Sequence, residues 1–358
     1  MSAFANAVIE WQKVHGRHDL PWQNTIDPYA IWVSEIMLQQ TQVTAVIGYY
    51  AAFMQRFPDI ATLANATQEE VLQSWSGLGY YSRARNLHNA AQTIVDEFDG
   101  IFPTEFDDIQ RLSGIGRSTA AAISTFALNK PQPILDGNVK RVFARHFLIE
   151  GWTGKPAIQQ KLWVIAEREN PSANHTNHDA IAYTQGLMDL GSSICTRSKP
   201  KCNLCPLKKS CQALTENQTQ NLPTPKPKKA LPQKETTMLI ILMGKEVLLE
   251  KRPQKGIWAG LWSLPEIDMT AIANEVAQQK FSLSTEADEP LPIVNHVFTH
   301  YKLAITPQPL QVVIPPKQKE KAGYIWMGID EAIGAAIPTP VRNILLMMNN
   351  LNIKQFNH

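Results

Sequence analysis

The sequence predicts a mainly α N-terminal domain followed by an α+β C-terminal domain. Three observations carry this. Apolar residues recur at helical spacing through residues 1–211. A stretch dense in Pro, Lys and polar residues, TENQTQNLPTPKPKKALPQKE, then interrupts the pattern. Beyond it come short runs rich in β-branched and aromatic residues. A chain of 358 residues with 44% hydrophobic side chains is long enough to build two ordinary cores.

In order along the chain, helical periodicity runs through 31–47, 71–75, 87–95, 120–126, 139–148 and 162–166, with Gly, Pro or Asp-rich turns between. From Ala213 the chain reads as an extended, exposed linker. This sets expected domains of 1–212, 213–236 and 237–358. Strands are expected over 238–243, 247–250, 297–305, 312–314 and 324–327, with a helix over 271–280 and another closing the chain. No internal repeat is found. The first residues carry no long apolar core of the signal-peptide kind, and no later run reaches the roughly 18 apolar residues of a membrane span. The expectation is a soluble cytoplasmic protein, a monomer with no membrane attachment, in a compartment that keeps thiols reduced.

The net charge is only +2, from 34 basic and 32 acidic residues, which excludes a protein that coats nucleic acid non-specifically. Any DNA contact must come from local clusters: Arg83 and Arg85, then Lys140, Arg141 and Arg145, then Arg197, Lys199, Lys201, Lys208 and Lys209. Singly, each is more often part of a solvated face than a phosphate site.

The only cysteines, Cys195, Cys202, Cys205 and Cys211, are spaced C-x6-C-x2-C-x5-C. Disulfide frameworks belong mostly to small secreted domains, so a thiolate metal site is the better reading. Zinc accepts four thiolates, but zinc ribbons usually pair two C-x-x-C knuckles about 15–20 residues apart. Here a single knuckle is flanked by longer arms, a spacing that favours an iron–sulfur cluster over zinc.

Leu112-Ser113-Gly114-Ile115-Gly116-Arg117-Ser118 lies between two helical segments. Two glycines one residue apart permit a tight turn whose amides, with the next helix's N-terminus, suit a phosphate. An ordinary interhelical turn would read the same way. About twenty residues later comes Leu135-Asp136-Gly137-Asn138-Val139-Lys140-Arg141-Val142.

That layout of hairpin, aspartate and four-cysteine loop resembles the helix-hairpin-helix DNA glycosylases of the endonuclease III superfamily. Within it the chain resembles the adenine DNA glycosylases of the MutY family. Leu20-Pro21-Trp22-Gln23, Ser34-Glu35-Ile36-Met37-Leu38-Gln39-Gln40-Thr41-Gln42, Gly77-Leu78-Gly79-Tyr80-Tyr81 and Cys195-Thr196-Arg197-Ser198-Lys199-Pro200-Lys201-Cys202 carry the match, which covers almost the whole chain. The resemblance implies a 4Fe-4S cluster on the four cysteines. It also implies a substrate of double-stranded DNA bearing adenine opposite 8-oxoguanine or guanine, and a reaction that starts base excision repair.

Cleaving a glycosidic bond calls for two carboxyl groups, one protonating the leaving group and one facing the oxocarbenium-like carbon. Glu35 sits on a helical face with Ile31, Leu38 and Gln42, and partial burial there would raise its pKa. Asp136 precedes a helix, where it would also serve as N-cap. By resemblance, Glu35 protonates adenine at N7 and Asp136 stabilises the sugar cation, ionically or by transient addition. Trp22 and Gln185 line the adenine pocket and Asn138 supports the centre. Gln40, Leu78 and Tyr80 probe the opposing base after the adenine is flipped out. Gly114, Gly116, Arg117, Ser118, Lys140 and Arg141 contact DNA. Glycosylases that also cut the strand carry a Schiff-base lysine where this chain has Ser118, so a monofunctional enzyme is expected. Ser113 stands where the family's hairpin usually has proline, which costs turn rigidity but no phosphate-binding amide.

Residues 238–343 resemble, more weakly, the Nudix fold of MutT. Gly260 and Glu266 keep the opening of the Nudix box, but Gln278 and Gln279 replace two of its metal-binding carboxylates. Hard cations prefer charged oxygen ligands, so pyrophosphatase activity is not expected. Phe298, Thr299 and His300 stand where the family usually has Phe-Ser-His in the loop that reads 8-oxoguanine, and Thr299 keeps the hydroxyl. Three rivals are each opposed by particular residues. An endonuclease-III-like lyase is opposed by Ser118, a Nudix hydrolase by Gln278 and Gln279, and an inert damage binder by having both Glu35 and Asp136.

Overall fold

The computed structural model describes residues 2–171, 177–227, 230–316 and 323–355. They form two compact units, one of residues 1–65 and 86–228, the other of residues 66–85 and 229–358.

The first unit is helical. Its helices are Ala3–His15, Pro28–Leu38, Val43–Arg56, Ile60–Asn65, Phe106–Arg111, Arg117–Phe126, Gly137–His146, Pro156–Glu169, Asn177–Asp189 and Gln212–Thr215, with most of Ser82–Phe98 and a π-helical turn at Leu190–Ile194. Short polar side chains start several of them. Ser2 accepts from the Ala5 amide, and Asp27 accepts from Tyr29 with Pro28 filling the first turn. Val8, Ile9, Phe143, Leu162, Tyr183 and Leu187, from four different helices, meet in the core.

Three departures from the sequence reading bear on function. The expected 31–47 helix is two helices, ending at Leu38 and restarting at Val43, with Gln40 at a φ of 60° in the break. In this unit Ala3–His15, Ile60–Asn65 and Gln212–Thr215 lie outside the periodic stretches. Finally, the first half of the expected linker is anchored at Ala213, Leu222 and Thr224, although residues 215–217, 220 and 221 are exposed. Leu222 is buried, Thr224 bridges to Trp152, and its hydroxyl accepts from the Gly151 amide at 2.9 Å. An apolar side chain and satisfied backbone hold it there despite its polar composition.

The second unit is a mixed sheet of eight strands: β1 (Gln233–Met243), β2 (Glu246–Lys251), β3 (Trp262–Ser263), β4 (Glu266–Ile267), β5 (Thr285–Ala287), β6 (Val294–Val297), β7 (Lys302–Val312) and β8 (Tyr324–Gly328). The order is β3-β2-β1-β7-β5, with β4 on β1, β6 on β7 and β8 on β2; β1 and β7 are parallel and the other pairs antiparallel. Alternate residues of β1 serve two cores. Met238, Ile240 and Leu242 pack with Ile344 and Leu345 of the helix Thr339–Gln355, whereas Leu239 and Ile241 pack with Ala277 and Phe281 of the helix Ala273–Phe281. Burial on both faces explains why β1 reads as an unbroken apolar run.

The expected strand 297–305 is instead a hairpin, β6 and β7 joined by a turn that the Phe298 amide closes on the Tyr301 carbonyl at 2.9 Å. Val313 and Ile314, expected in a strand of their own, lie beyond β7 and are exposed. β3, β4 and β5 are too short to show a period. Among the described residues, no helix is long and apolar enough to cross a membrane.

Candidate active site

The helix Pro28–Leu38 is buried nearly all round, through Tyr29, Ala30, Ile31, Trp32, Val33, Ser34, Ile36 and Met37. It is therefore not the two-faced helix the sequence implied. Glu35 is its one acidic residue, and its carboxyl opens into a cleft of about 1290 Å³ that Asp136 also lines. Apart from that opening it is closely walled. Among the described residues no hydrogen bond supports its ionised form, and burial, followed by the Asp136 charge, raises its pKa from 4.5 to about 8.

Asp136 has different surroundings. It caps the helix Gly137–His146, with one carboxylate oxygen accepting from the Val139 amide at 2.7 Å. The other accepts from Asn138 Nδ2 at 3.2 Å, and Arg141 adds an attractive charge. Burial raises the Asp136 pKa, but every one of these contacts favours the anion. One carboxyl without donors beside one with several is an arrangement that separates acid from carboxylate.

The other expected adenine-pocket residues also line the cleft. Trp22 is buried, its ring edge-on to Tyr50 at 5.3 Å. Gln185 donates to Asp189 at 2.8 Å; Asp189 is almost fully buried and also accepts from the Arg17 backbone and guanidinium. Asn138 accepts from Arg141 at 2.8 Å. A Cβ on Gly191 would stand 2.5 Å from that of Asn138, so only glycine lets the π-helical turn approach so closely. Arg17, Asp189 and Gly191 were absent from the sequence reading. Gln185 and Asp189, four apart on one helix, offered the single local hint.

The hairpin follows the helix Phe106–Arg111. Gly114 has a φ of +81°, and a Cβ there would come within 2.7 Å of Asn86, so this glycine is required. Gly116 has ordinary extended backbone and open space around it, so its place in the motif is not forced by its conformation. Ser118 Oγ accepts from the Leu135 amide at 3.1 Å, holding the strand of chain that presents Asp136. Arg117 pairs with Glu167 at 2.7 Å and lies over the Trp163 ring. Gln40 is exposed on the cleft rim; Lys140 is half-buried and does not line the cleft.

Several of the basic clusters turn inward. Arg141 donates to the carbonyls of Cys195 and Gly191 as well as to Asn138. Arg145, 2% exposed, donates to the carbonyls of Thr196, Arg197 and Leu222 at 2.7, 3.0 and 2.7 Å, and approaches Cys195 Sγ at 3.3 Å. Arg83 is buried and bonds the Leu78 and Gly79 carbonyls, and Arg85 donates to the Ala259 carbonyl. Backbone carbonyls at buried and part-buried places claim these guanidiniums as donors. Arg197, Lys199, Lys201, Lys208 and Lys209 remain exposed.

The four cysteines are partly buried; Cys205 lies within electrostatic reach of the other three thiols, Cys211 of Cys195 and Cys202, and Cys202 of Cys195. Burial pushes the Cys205 thiol up to about 12. As placed, no three His, Cys, Asp or Glu side chains among the described residues form a metal-holding group. Four thiols within seventeen residues, with Arg145 beside Cys195, are a donor set whose chemistry suits a metal that draws protons from sulfur.

In the second unit, Leu78 is buried and Tyr80 is 48% exposed. Phe298 packs against Trp258 and Tyr301, leaving Thr299 and His300 exposed at the hairpin tip with Thr299 Oγ 3.4 Å from His300 Nδ1. Glu266 pairs with Arg252 at 2.6 Å, and Lys280 pairs with Glu250 at 2.7 Å, so cationic side chains already engage these carboxylates.

Residues 33–168 match the profile of the HhH-GPD superfamily base excision DNA repair proteins, and residues 236–347 that of the NUDIX domain. A solved thermostable thymine-DNA glycosylase superposes on 60% of this chain and 95% of its own, with a TM-score of 0.52 and 26% identity. The helical unit with its carboxylate-lined cleft is thus that of a helix-hairpin-helix base excision repair protein. The adenine DNA glycosylase of Buchnera aphidicola subsp. Acyrthosiphon pisum is 39% identical over 96% of both chains, and the human one is 31% identical over 96% of this chain and 73% of its own. The chain belongs to the adenine DNA glycosylase family, enzymes of base excision repair.

Proposed function

We propose that the protein hydrolyses the N-glycosidic bond of adenine mispaired with 8-oxoguanine or guanine in double-stranded DNA, leaving an abasic site and an uncut strand. The observation that carries this is the contrast, among the described residues, between Glu35, without hydrogen-bond donors, and Asp136, with several, in one cleft. Glu35 holds a proton near neutral pH and gives it to N7 of the extruded adenine. The bond from the sugar to N9 then breaks with its electron pair leaving on the base. The Asp136 carboxylate faces the resulting cation, by charge or by transient addition, and water completes the exchange. Gln185, fixed by Asp189 and Arg17, and Trp22 hold the adenine; Asn138 keeps Asp136 in place. Ser118 has no amine for a Schiff base. The exposed tip of Thr299 and His300, with Tyr80 and Leu78, reads the opposing base.

Cys195, Cys202, Cys205 and Cys211 would hold a 4Fe-4S cluster, which when bound cross-links the basic 195–211 loop. The protein acts as a monomer in the cytoplasm, on the nucleoid when bound to DNA; catalysis belongs to the 1–212 domain and mismatch reading to 237–358, with residues 66–85 folding with the latter.

Single-turnover reaction with adenine opposite 8-oxoguanine, developed with and without hot alkali, tests the reading. Strand breaks appearing only after alkali are expected. Equal breakage without alkali would establish a lyase, and binding without adenine release would establish an inert binder. A visible absorbance shoulder on the purified protein separates the cluster from zinc.

A further inference from the structure

Residues 66–85 lie between two helices of the helical unit in sequence, yet they fold with the C-terminal unit. Their anchors are specific. Arg342 donates to Ser76 Oγ at 2.6 Å and to the Ala335 carbonyl at 3.1 Å, and Tyr81 Oη donates to the Ile337 carbonyl at 3.3 Å. After the turn, Arg85 donates to the Ala259 carbonyl at 2.8 Å. Glu69 accepts from Lys251 and from the Trp262 indole.

Between these anchors the 77–81 turn has little freedom. Gly77, Gly79 and Tyr80 take φ values of 102°, 72° and 49°. Arg83 bonds the Leu78 and Gly79 carbonyls at 3.3 and 3.1 Å and stands over the Tyr80 ring. The Ala259 end leads to the other reading element, because the neighbouring Trp258 ring packs on Phe298 at 5.3 Å, beneath Thr299 and His300.

We propose that Arg342 and Arg85 are positioning residues for recognition of the opposing base. They fix the turn bearing Leu78 and Tyr80 to the unit that carries Thr299 and His300, so both elements address that base as one rigid piece. The proposal rests on the reading, made above, that these four residues contact the opposing base.

The test uses the full-length protein and single-turnover excision of adenine opposite 8-oxoguanine and opposite guanine. Fluorescence of 2-aminopurine in place of the adenine reports its extrusion. Arg342→Ala and Arg85→Ala should each slow excision opposite 8-oxoguanine about tenfold, the worth of a charge-assisted hydrogen bond. Excision opposite guanine should slow less, so the ratio of the two rates contracts and the fluorescence rise is delayed. Arg342→Lys should recover part of the ratio. Ser76→Ala removes the same bond with little loss of volume and should behave like Arg342→Ala even if that variant folds poorly. Equal slowing opposite both bases, or an unchanged ratio in all these variants, overturns the positioning role. Leu78→Ala and Tyr80→Ala separate the two readings. If they shift the ratio and the arginine and serine variants do not, only the positioning role fails; if they leave it unchanged, the base-contact reading fails and the proposal with it.

Discussion

Replacing Glu35 by glutamine removes one ionisation with almost no change of shape, so its consequences can be worked out from burial. With an ordinary pKa of 4.5, about one molecule in 300 would hold the proton at pH 7; with a pKa of about 8, roughly nine in ten do. If Glu35 is the acid, Glu35→Gln should lower the single-turnover rate at pH 7 by about 10²–10⁴-fold, and the wild-type rate should fall as pH rises through about 8. Stability should move in a related way. The folded protein keeps this proton up to about pH 8, while the unfolded chain releases it near 4.5, so the folded state binds more protons in that window and the wild type weakens as pH rises. The effect is nil below pH 4.5 and reaches at most roughly 5 kcal/mol above pH 8, less whatever water in the cleft screens. Glu35→Gln escapes this cost and should gain on the wild type in urea melts as pH rises from 4.5 to 8. A stability difference flat with pH, or a wild-type rate that climbs through pH 8, would refute the burial argument.

Two further substitutions probe what holds the site. Arg145→Ala should cost about 3 kcal/mol, because the carbonyls of Thr196, Arg197 and Leu222 lose a charged donor, the Leu222 one in a buried place; urea denaturation measures this, and proteolysis should become fast within 195–224. Ser118→Ala should cost about 1 kcal/mol and slow excision severalfold without creating a lyase, since it frees the Leu135 amide next to Asp136; a denaturation curve and the alkali comparison check both parts.

Much of the candidate site is legible as local pattern. Asp136 before Gly137 marks a helix start, and it does cap its helix while lining the cleft. The cysteine spacing marks a set of four thiols, and the change from helical periods to short runs rich in β-branched and aromatic residues marks the change of architecture. What sequence periodicity cannot show is which side chain meets which. Arg145 and Arg141 read as basic surface and are instead donors to the backbone around Cys195. Helical spacing alone ran 31–47 together, although the chain breaks between Leu38 and Val43.

The sequence by itself therefore marked the change from helices to a sheet, the Asp136 cap and the spacing of the four cysteines, because each depends on neighbours a few positions away. Tertiary structure alone decided the difference in environment between Glu35 and Asp136, the bracing of Gln185 by Asp189 and Arg17, and the allegiance of residues 66–85 to the C-terminal unit. Arg17 and Asp189 are 172 positions apart, and Ser76 and Arg342 are 266 apart. Burial and hydrogen-bond partnership at that range exist only once the chain has packed, and no local period records them.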